Sequence, residues 1–303
     1  MAFALDQAIA CVPSPTYCSD QSECAPGESA VAPRPITPPL KWAGGKRWLA
    51  QRLAGADLPS FTRLIEPFAG SAAAFFAMRP PKAILNDNNS ELINVYQAIQ
   101  LDHGEVYRIL RTHAEAHCPS YYYDVRASIP AGRECRAART LYLNRTCWNA
   151  LYRVNRRGEF NVPIGTKTAV LLPNDDFSGV AAALNTATLL NDDFTSPLAV
   201  ATEGDLIFAD PPYFSSSKRG TFVKYTNPAF SWKDQERLAA AIDQARGRGA
   251  NFILTNADTP ELETLYGGRG YLSKLARHTV ISGKAAGRSK TTELLWTSFP
   301  LQV

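Results

Sequence analysis

The sequence predicts an α/β fold: a parallel, doubly wound sheet interrupted by an inserted, mainly helical module. Three observations predict it. Short apolar segments alternate with segments of helical spacing before about residue 101 and again after about residue 175. Several of the apolar segments run into Pro, Gly or an acidic residue, as strands do where a sheet meets a loop. The stretch between, residues 102–174, breaks the rhythm and is rich in Arg, Tyr and Asn.

The elements follow in chain order. Residues 1–36 hold Pro13, Pro15, Pro26, Pro33 and Pro35 among Ser, Ala and Cys, without apolar periodicity. Such a composition cannot bury enough surface to offset chain entropy, so a disordered or loosely packed tail is expected. Arg63-Leu64-Ile65-Glu66 is a strand ending at Pro67, with a helix beginning near Ser71. Ala83-Ile84-Leu85-Asn86 is a second strand, and Ser90 to Gln100 places Leu92, Ile93, Tyr96 and Ile99 on one helical face. Beyond the module, Thr188-Leu189-Leu190 and Asp205-Leu206-Ile207-Phe208 read as buried strands. Trp232 to Arg246 is a helix, Asn251 to Thr255 a strand, and Glu293 to Ser298 a closing strand. The expected domains are thus 37–101 with 175–303, interrupted by 102–174.

Composition narrows the class. With 303 residues, 45% of them apolar and 20% charged, the chain can build an ample core, and no apolar run is long enough to cross a bilayer. Ala8-Ile9-Ala10-Cys11 faintly resembles a lipoprotein cleavage site. No basic leader precedes it and Asp6 interrupts the apolar run, so no secretion signal and a cytoplasmic location are expected. Cys11, Cys18, Cys24, Cys118, Cys135 and Cys147 match no zinc spacing and are expected to be reduced. Of the net charge of +4, residues 131–170 alone hold seven Arg and one Lys against Glu134 and Glu159. A concentrated basic segment fits either a polyanion contact or a solvated helix face, and charge alone does not choose.

Ligands of open α/β sheets sit at the carboxyl ends of the strands. Three candidate sites fall there: Glu66-Pro67-Phe68-Ala69-Gly70, Asp87, and Asp210-Pro211-Pro212-Tyr213. A glycine turn lets backbone approach a ligand, and an acid ending the next strand can accept ribose hydroxyls. The full dinucleotide glycine fingerprint is missing. The third motif is the most informative. An exocyclic amino group on an aromatic ring is a poor nucleophile, because its lone pair is delocalised. Two fixed acceptors, the Asp210 carboxylate and the Pro211 carbonyl, would expose that lone pair to an electrophilic methyl group. Pro211 and Pro212 lock the turn, and Tyr213 offers a face on which an extruded base can stack.

On these residues the chain resembles the Dam-type family of DNA adenine-N6 methyltransferases, the D12 class, over about residues 38 to 300. The resemblance implies a Rossmann-like sheet that depends on S-adenosyl-L-methionine, with a helical target-recognition domain at 102–174. Pro39-Leu40-Lys41-Trp42-Ala43-Gly44-Gly45-Lys46 is similar to the family's N-terminal motif, which implies that Trp42 and Lys46 line the cofactor pocket. Glu66, Phe68 and Gly70 match its first cofactor loop and Asp87 its ribose-binding acid; Asp193 and Phe194 match the segment near the cofactor adenine. Leu143-Asn144-Arg145, Trp148-Asn149, Leu151, Arg153 and Arg157-Gly158-Glu159-Phe160-Asn161-Val162-Pro163 resemble its DNA-contacting segment. Trp148 is then expected to wedge into the base stack, Arg153 to bond guanine edges, and Arg156 and Arg157 to neutralise phosphate. Arg145, Asn149, Leu151, Pro163 and Lys167 are expected on the same surface. Arg288 and Lys290 lie in the basic loop Gly283–Lys290, which resembles a family loop expected to touch the DNA backbone, with a solvated hairpin tip as the alternative.

The chain also departs from the family. Ser71-Ala72-Ala73 stands where many members have a second glycine, and Thr166-Lys167-Thr168 where the GATC-specific members have an Arg-Tyr pair. The recognition sequence is therefore not implied, nor is a restriction partner. Double-stranded DNA is the expected partner, with no membrane and no obligate protein partner. Gly44-Gly45-Lys46-Arg47 lacks the spacing of a phosphate loop. His113 and His117, four apart, lack the glutamate of a zinc protease and read as surface histidines, so no metal is expected. Rival readings are transfer to cytosine N4 or to RNA adenine, and an inactive DNA-binding protein.

Overall fold

The computed structural model describes residues 36–213, 230–278 and 290–302. Within them lies a seven-stranded sheet, in the order β3-β2-β1-β4-β5-β7-β6. The strands are β1 Arg63–Glu66, β2 Lys82–Asn86, β3 Ala187–Leu190, β4 Asp205–Ala209, β5 Asn251–Ala257, β6 Tyr271–His278 and β7 Lys290–Thr297. The first five pair in parallel, with Leu64 opposite both Ala83 and Leu206, and Ile207 opposite Phe252. From β1 the chain builds outward through β2 and β3, then returns to place β4 on the other flank. That reversal opens a crevice at the carboxyl ends of β1 and β4.

Side chains alternate between two cores, as the period of a strand requires. Leu64, Leu206, Phe208, Ile253 and Leu295 face one core; Ile65, Ile207, Ala209, Phe252, Leu254 and Trp296 face the other. Helix α8 (Trp232–Gly247) covers the second core with Leu238 and Ile242. It begins with a capping box in which Ser231 and Asp234 satisfy each other's backbone amides.

Every strand expected from the sequence is present, and the sheet is mixed rather than wholly parallel. β7 runs antiparallel between β5 and β6. β6 escaped notice because it is an edge strand: Tyr271 and Leu272 are exposed and its pattern is mixed. Among the helices, α1 (Arg47–Ala54) and α9 (Pro260–Tyr266) were not read from the sequence.

Helix α3 (Ser90–Glu115) runs past the expected end at Gln100, with a kink at Asp102 (φ −149°, ψ 77°). There the Asp102 carboxylate caps the amide of Glu105, so a second helix starts where the module was expected to begin. Helices α4 (Pro119–Ala127) and α5 (Arg133–Thr146) follow, and Tyr122, Leu141 and Tyr142 join Val106 and Leu110 in the first core. His113 and His117 are half-buried, not surface residues, and meet the hydroxyls of Tyr121 and Tyr142 at 2.8 and 2.9 Å. Among the described residues no helix is long and apolar enough to cross a membrane. The tail expected at 1–36, with Cys11, Cys18 and Cys24, lies outside the described residues save for Ile36.

Candidate active site

The carboxyl ends of β1, β2 and β4 open into one cavity of about 870 Å³. It gathers all twelve residues expected to bind cofactor or act in catalysis. Trp42 and Lys46 come from the segment before α1; Glu66, Phe68 and Gly70 from the loop after β1. Asp87 follows β2, Asp193 and Phe194 follow β3, and Asp210, Pro211, Pro212 and Tyr213 follow β4. Residues far apart in sequence meet because the sheet brings the ends of its strands together.

Two loops shape one wall. Gly70 has φ +48°, and a Cβ there would lie 2.9 Å from Cδ1 of Trp42, so the close approach requires glycine. Its amide donates to Asp87 Oδ2 at 3.0 Å and its carbonyl accepts from the Tyr96 hydroxyl at 2.7 Å. Asp87 Oδ1 accepts from the amide of Asn89. Burial raises the Asp87 pKa, although both amides favour the charged form. Phe68 and Phe194 stack at 5.2 Å, with Phe230 edge-on to Phe68, giving flat apolar walls. Asp193 is tied to Arg237 at 2.8 Å.

The acidic turn forms the floor. Asp210 Oδ1 lies 3.0 Å from Lys46 Nζ and accepts from the Thr255 hydroxyl at 2.5 Å. Lys46 is itself buried; its ammonium donates to the Gly44 carbonyl, lies 3.7 Å from Glu293 and sits 4.6 Å from the Tyr213 ring centre. Burial raises the Asp210 pKa, while Lys46 and the Thr255 bond pull it down and Glu293 pushes it up. Glu66 is more perturbed. Burial, with the Asp210 charge adding to it against a 2.6 Å bond from the Phe75 amide, pushes its carboxyl up to about 8. At neutral pH Glu66 therefore carries a proton and does not repel Asp210.

The basic segment divides. Residues 147–164 form an irregular hairpin, bridged at Cys147–Ile164 and Val154–Phe160, with the Trp148 amide bonded to the Pro163 carbonyl. Trp148 is 49% exposed, which excludes a core tryptophan. Asn149 and the neighbouring Ala150 have φ of 54° and 53°. Arg156, Arg157, Pro163 and Lys167 are exposed, and Leu151 is half-buried against the core. Arg153 lines the cavity and bonds Asn161 at 2.8 Å. Arg145 corrects the expectation. It is 4% exposed, pairs with both oxygens of Asp175 at 2.7 and 2.8 Å, and donates to the carbonyls of Val170 and Pro39. A guanidinium committed to four acceptors inside the protein has no reach to DNA. Arg288 lies outside the described residues, as does the Lys290 side chain.

Sequence reasoning passed over several residues of the site. Asn86 clamps the Pro67 carbonyl and the backbone of Asp192. Tyr152 stacks on Trp42 at 5.2 Å; Asn144, expected in the DNA-contacting segment, is instead buried and bonds both the amide and the carbonyl of Lys41. Thr255 and Glu293 left no distinct signal: β5 also carries Asn251 and Asn256, and β7 also carries Thr292 and Thr297.

The family model described as D12 class N6 adenine-specific DNA methyltransferase matches residues 42–280. A DNA adenine methylase of Serratia marcescens is 35% identical, over 84% of this chain and 96% of that one. The Type II methyltransferase M1.LlaDCHI of Lactococcus lactis subsp. cremoris is 34% identical, over 88% and 95%. The DNA adenine methylase of Escherichia coli strain K12 is 31% identical, over 84% and 93%.

Proposed function

The chain belongs to the D12 class of N6 adenine-specific DNA methyltransferases, and on that premise we propose how its residues move a methyl group to N6 of adenine in double-stranded DNA. The cavity fits S-adenosyl-L-methionine as methyl donor. Its volume of about 870 Å³ suits a small molecule, and Gly70 keeps the wall beside Trp42 free of a Cβ. Asp87 at the end of β2 is placed for ribose hydroxyls, and Phe68 and Phe194 for a flat ring, beside Asp193; Trp42, Lys46 and a neutral Glu66 complete the pocket. When bound, this cosubstrate supplies an electrophilic methyl on a sulfonium.

The chain's own contribution is orientation and charge. Asp210 and the Pro211 carbonyl accept the two amino hydrogens of a base turned out of the duplex, and Tyr213 stacks on that base. Acceptors held before the reaction cost no reorganisation during it. In the transfer the amino nitrogen would take the methyl, the carbon–sulfur pair would stay on sulfur as a neutral thioether, and the proton shed by the methylated nitrogen would pass to solvent. The face at 148–167, within residues 102–174, reads the duplex: exposed Trp148 wedges, half-buried Arg153 meets base edges, and exposed Arg156, Arg157 and Lys167 meet phosphates. Asn149, Leu151 and Pro163 shape that face. Two αL residues beside an exposed tryptophan are the kind of stored strain that marks a functional loop.

The single observation that carries this reading is the half-buried Asp210, anchored through Oδ1 while its motif lines the cavity. Asp210→Ala is expected to cut methyl transfer by at least about 100-fold and to leave S-adenosyl-L-methionine binding measurable by calorimetry. Undiminished incorporation of labelled methyl would refute the role.

A further inference from the structure

We infer that Thr255 is a positioning residue for methyl transfer: its hydroxyl occupies Asp210 Oδ1, leaving Oδ2 as the acceptor for the target amino group. The inference rests on the reading of Asp210 given above. Parallel pairing of β4 with β5 sets Ala209 opposite Leu254, so the next residues along, Asp210 and Thr255, come side by side at the strand ends. Thr255 is fully buried and is not among the residues lining the cavity, so it acts only through Asp210. Its one proton goes to Oδ1, 2.5 Å away, and Lys46 Nζ stands 3.0 Å from the same oxygen. Two donors fill the two lone pairs of a carboxylate oxygen. Among the described residues, Oδ2 accepts no hydrogen bond. An incoming amino hydrogen therefore meets an oxygen that is open, on a carboxylate that cannot swing.

The charged groups around Asp210 fix the sign of the effect. Lys46 from the segment before α1 favours the carboxylate, as Thr255 does; Glu293 from β7 opposes it, and Glu66 from β1 is neutral at pH 7. Loss of the hydroxyl raises the pH needed to ionise Asp210. A residue that only supported the fold would lower the rate equally at every pH.

The test compares Thr255→Val with Thr255→Ser in single-turnover methylation of an adenine-containing duplex across pH, with the carboxyl titration of Asp210 followed by carbon NMR in the protein alone. Thr255→Val is expected to slow transfer about 10- to 100-fold near neutrality, the range for a hydrogen bond to a charged group. Its acid limb and its NMR midpoint should both move to higher pH, so that the deficit shrinks as pH rises, and Thr255→Ser should restore both. A Thr255→Val enzyme with the parent's rate and midpoint, or with a loss uniform in pH, overturns the inference. Should Thr255→Val not fold, Thr255→Ala against Thr255→Ser makes the same comparison. Full activity in Asp210→Ala would instead sink the reading of Asp210, so the two failures are distinguishable.

Discussion

At the mouth of the sheet, three acidic groups are held by residues from other elements: Asp210 by Lys46 and Thr255, Asp87 by Gly70, Glu66 by Phe75. In the hairpin at 147–164, side-chain bonds such as Arg153 to Asn161 and Asn155 to Glu159 stay within eight residues of the chain. The first region is tied across the fold; the second, exposed at Trp148, Asn149 and 156–159, ties its side chains mostly to itself. Chemistry on a reluctant amine needs acceptors fixed beforehand. Reading a duplex needs a surface that can adjust to what it meets.

Arginine 145 lies on the boundary between these regions and offers the largest test of the contrast. Its four acceptors join α5 to the 170–175 loop and to the backbone just before Trp42. Arg145→Ala leaves Asp175 without its buried partner and is expected to cost about 3–5 kcal/mol, seen as a large drop in melting temperature. Arg157→Ala, twelve residues on and exposed, should leave melting unchanged. It should instead reduce the slope of log DNA affinity against log salt by about one. If the two variants exchanged these signatures, the division between fixed and adjustable regions would fail.

A smaller effect sharpens what fixed means at the mouth. Burial and the Asp210 charge hold the Glu66 carboxyl at about 8, above its ordinary value of 4.5. A carboxyl whose folded pKa is raised contributes stability at low pH that is lost as pH climbs from about 4.5 through about 8. Glu66→Gln has no such titration. Its melting temperature should match the parent near pH 4 and exceed it by a growing margin toward pH 8, on the order of 2–4 °C for each kcal/mol gained. Parallel melting curves at all pH would show Glu66 to be charged and the mouth to be looser than its geometry implies.

The sheet and its acidic corners were legible because each leaves a local mark: an apolar run, then Pro, Gly or a carboxylate. Leu206-Ile207-Phe208 followed by Asp210-Pro211-Pro212-Tyr213 is such a mark, and the cavity forms there. The inward turn of Arg145 was not legible. Its acceptors lie up to 106 residues away, and nothing in Leu143-Asn144-Arg145 separates a buried fork from an exposed one. The same holds for Arg139, buried against the carbonyls of Val125 and Arg126, so the basic run overstates the charge offered to DNA. β6 was missed for the opposite reason: an edge strand buries too little to impose a pattern.

The smallest expected effect sets one alanine from each region side by side. Ala72, in the loop after β1, and Ala150, in the hairpin, both adopt the left-handed conformation, with φ of 50° and 53°. That conformation costs a residue with a Cβ about 1–2 kcal/mol, and glycine removes the strain while losing about 0.5–1 kcal/mol through the freer unfolded chain. Ala72 is fully buried among core residues, so its methyl also contributes packing that glycine gives up. Ala150 is half-buried and contributes less. Ala150→Gly should therefore raise the melting temperature slightly, and Ala72→Gly should leave it level or lower it. If instead Ala72→Gly were the more stabilising, the strain at the mouth would outweigh its packing. The region that looks rigid would then owe that rigidity to its hydrogen bonds alone.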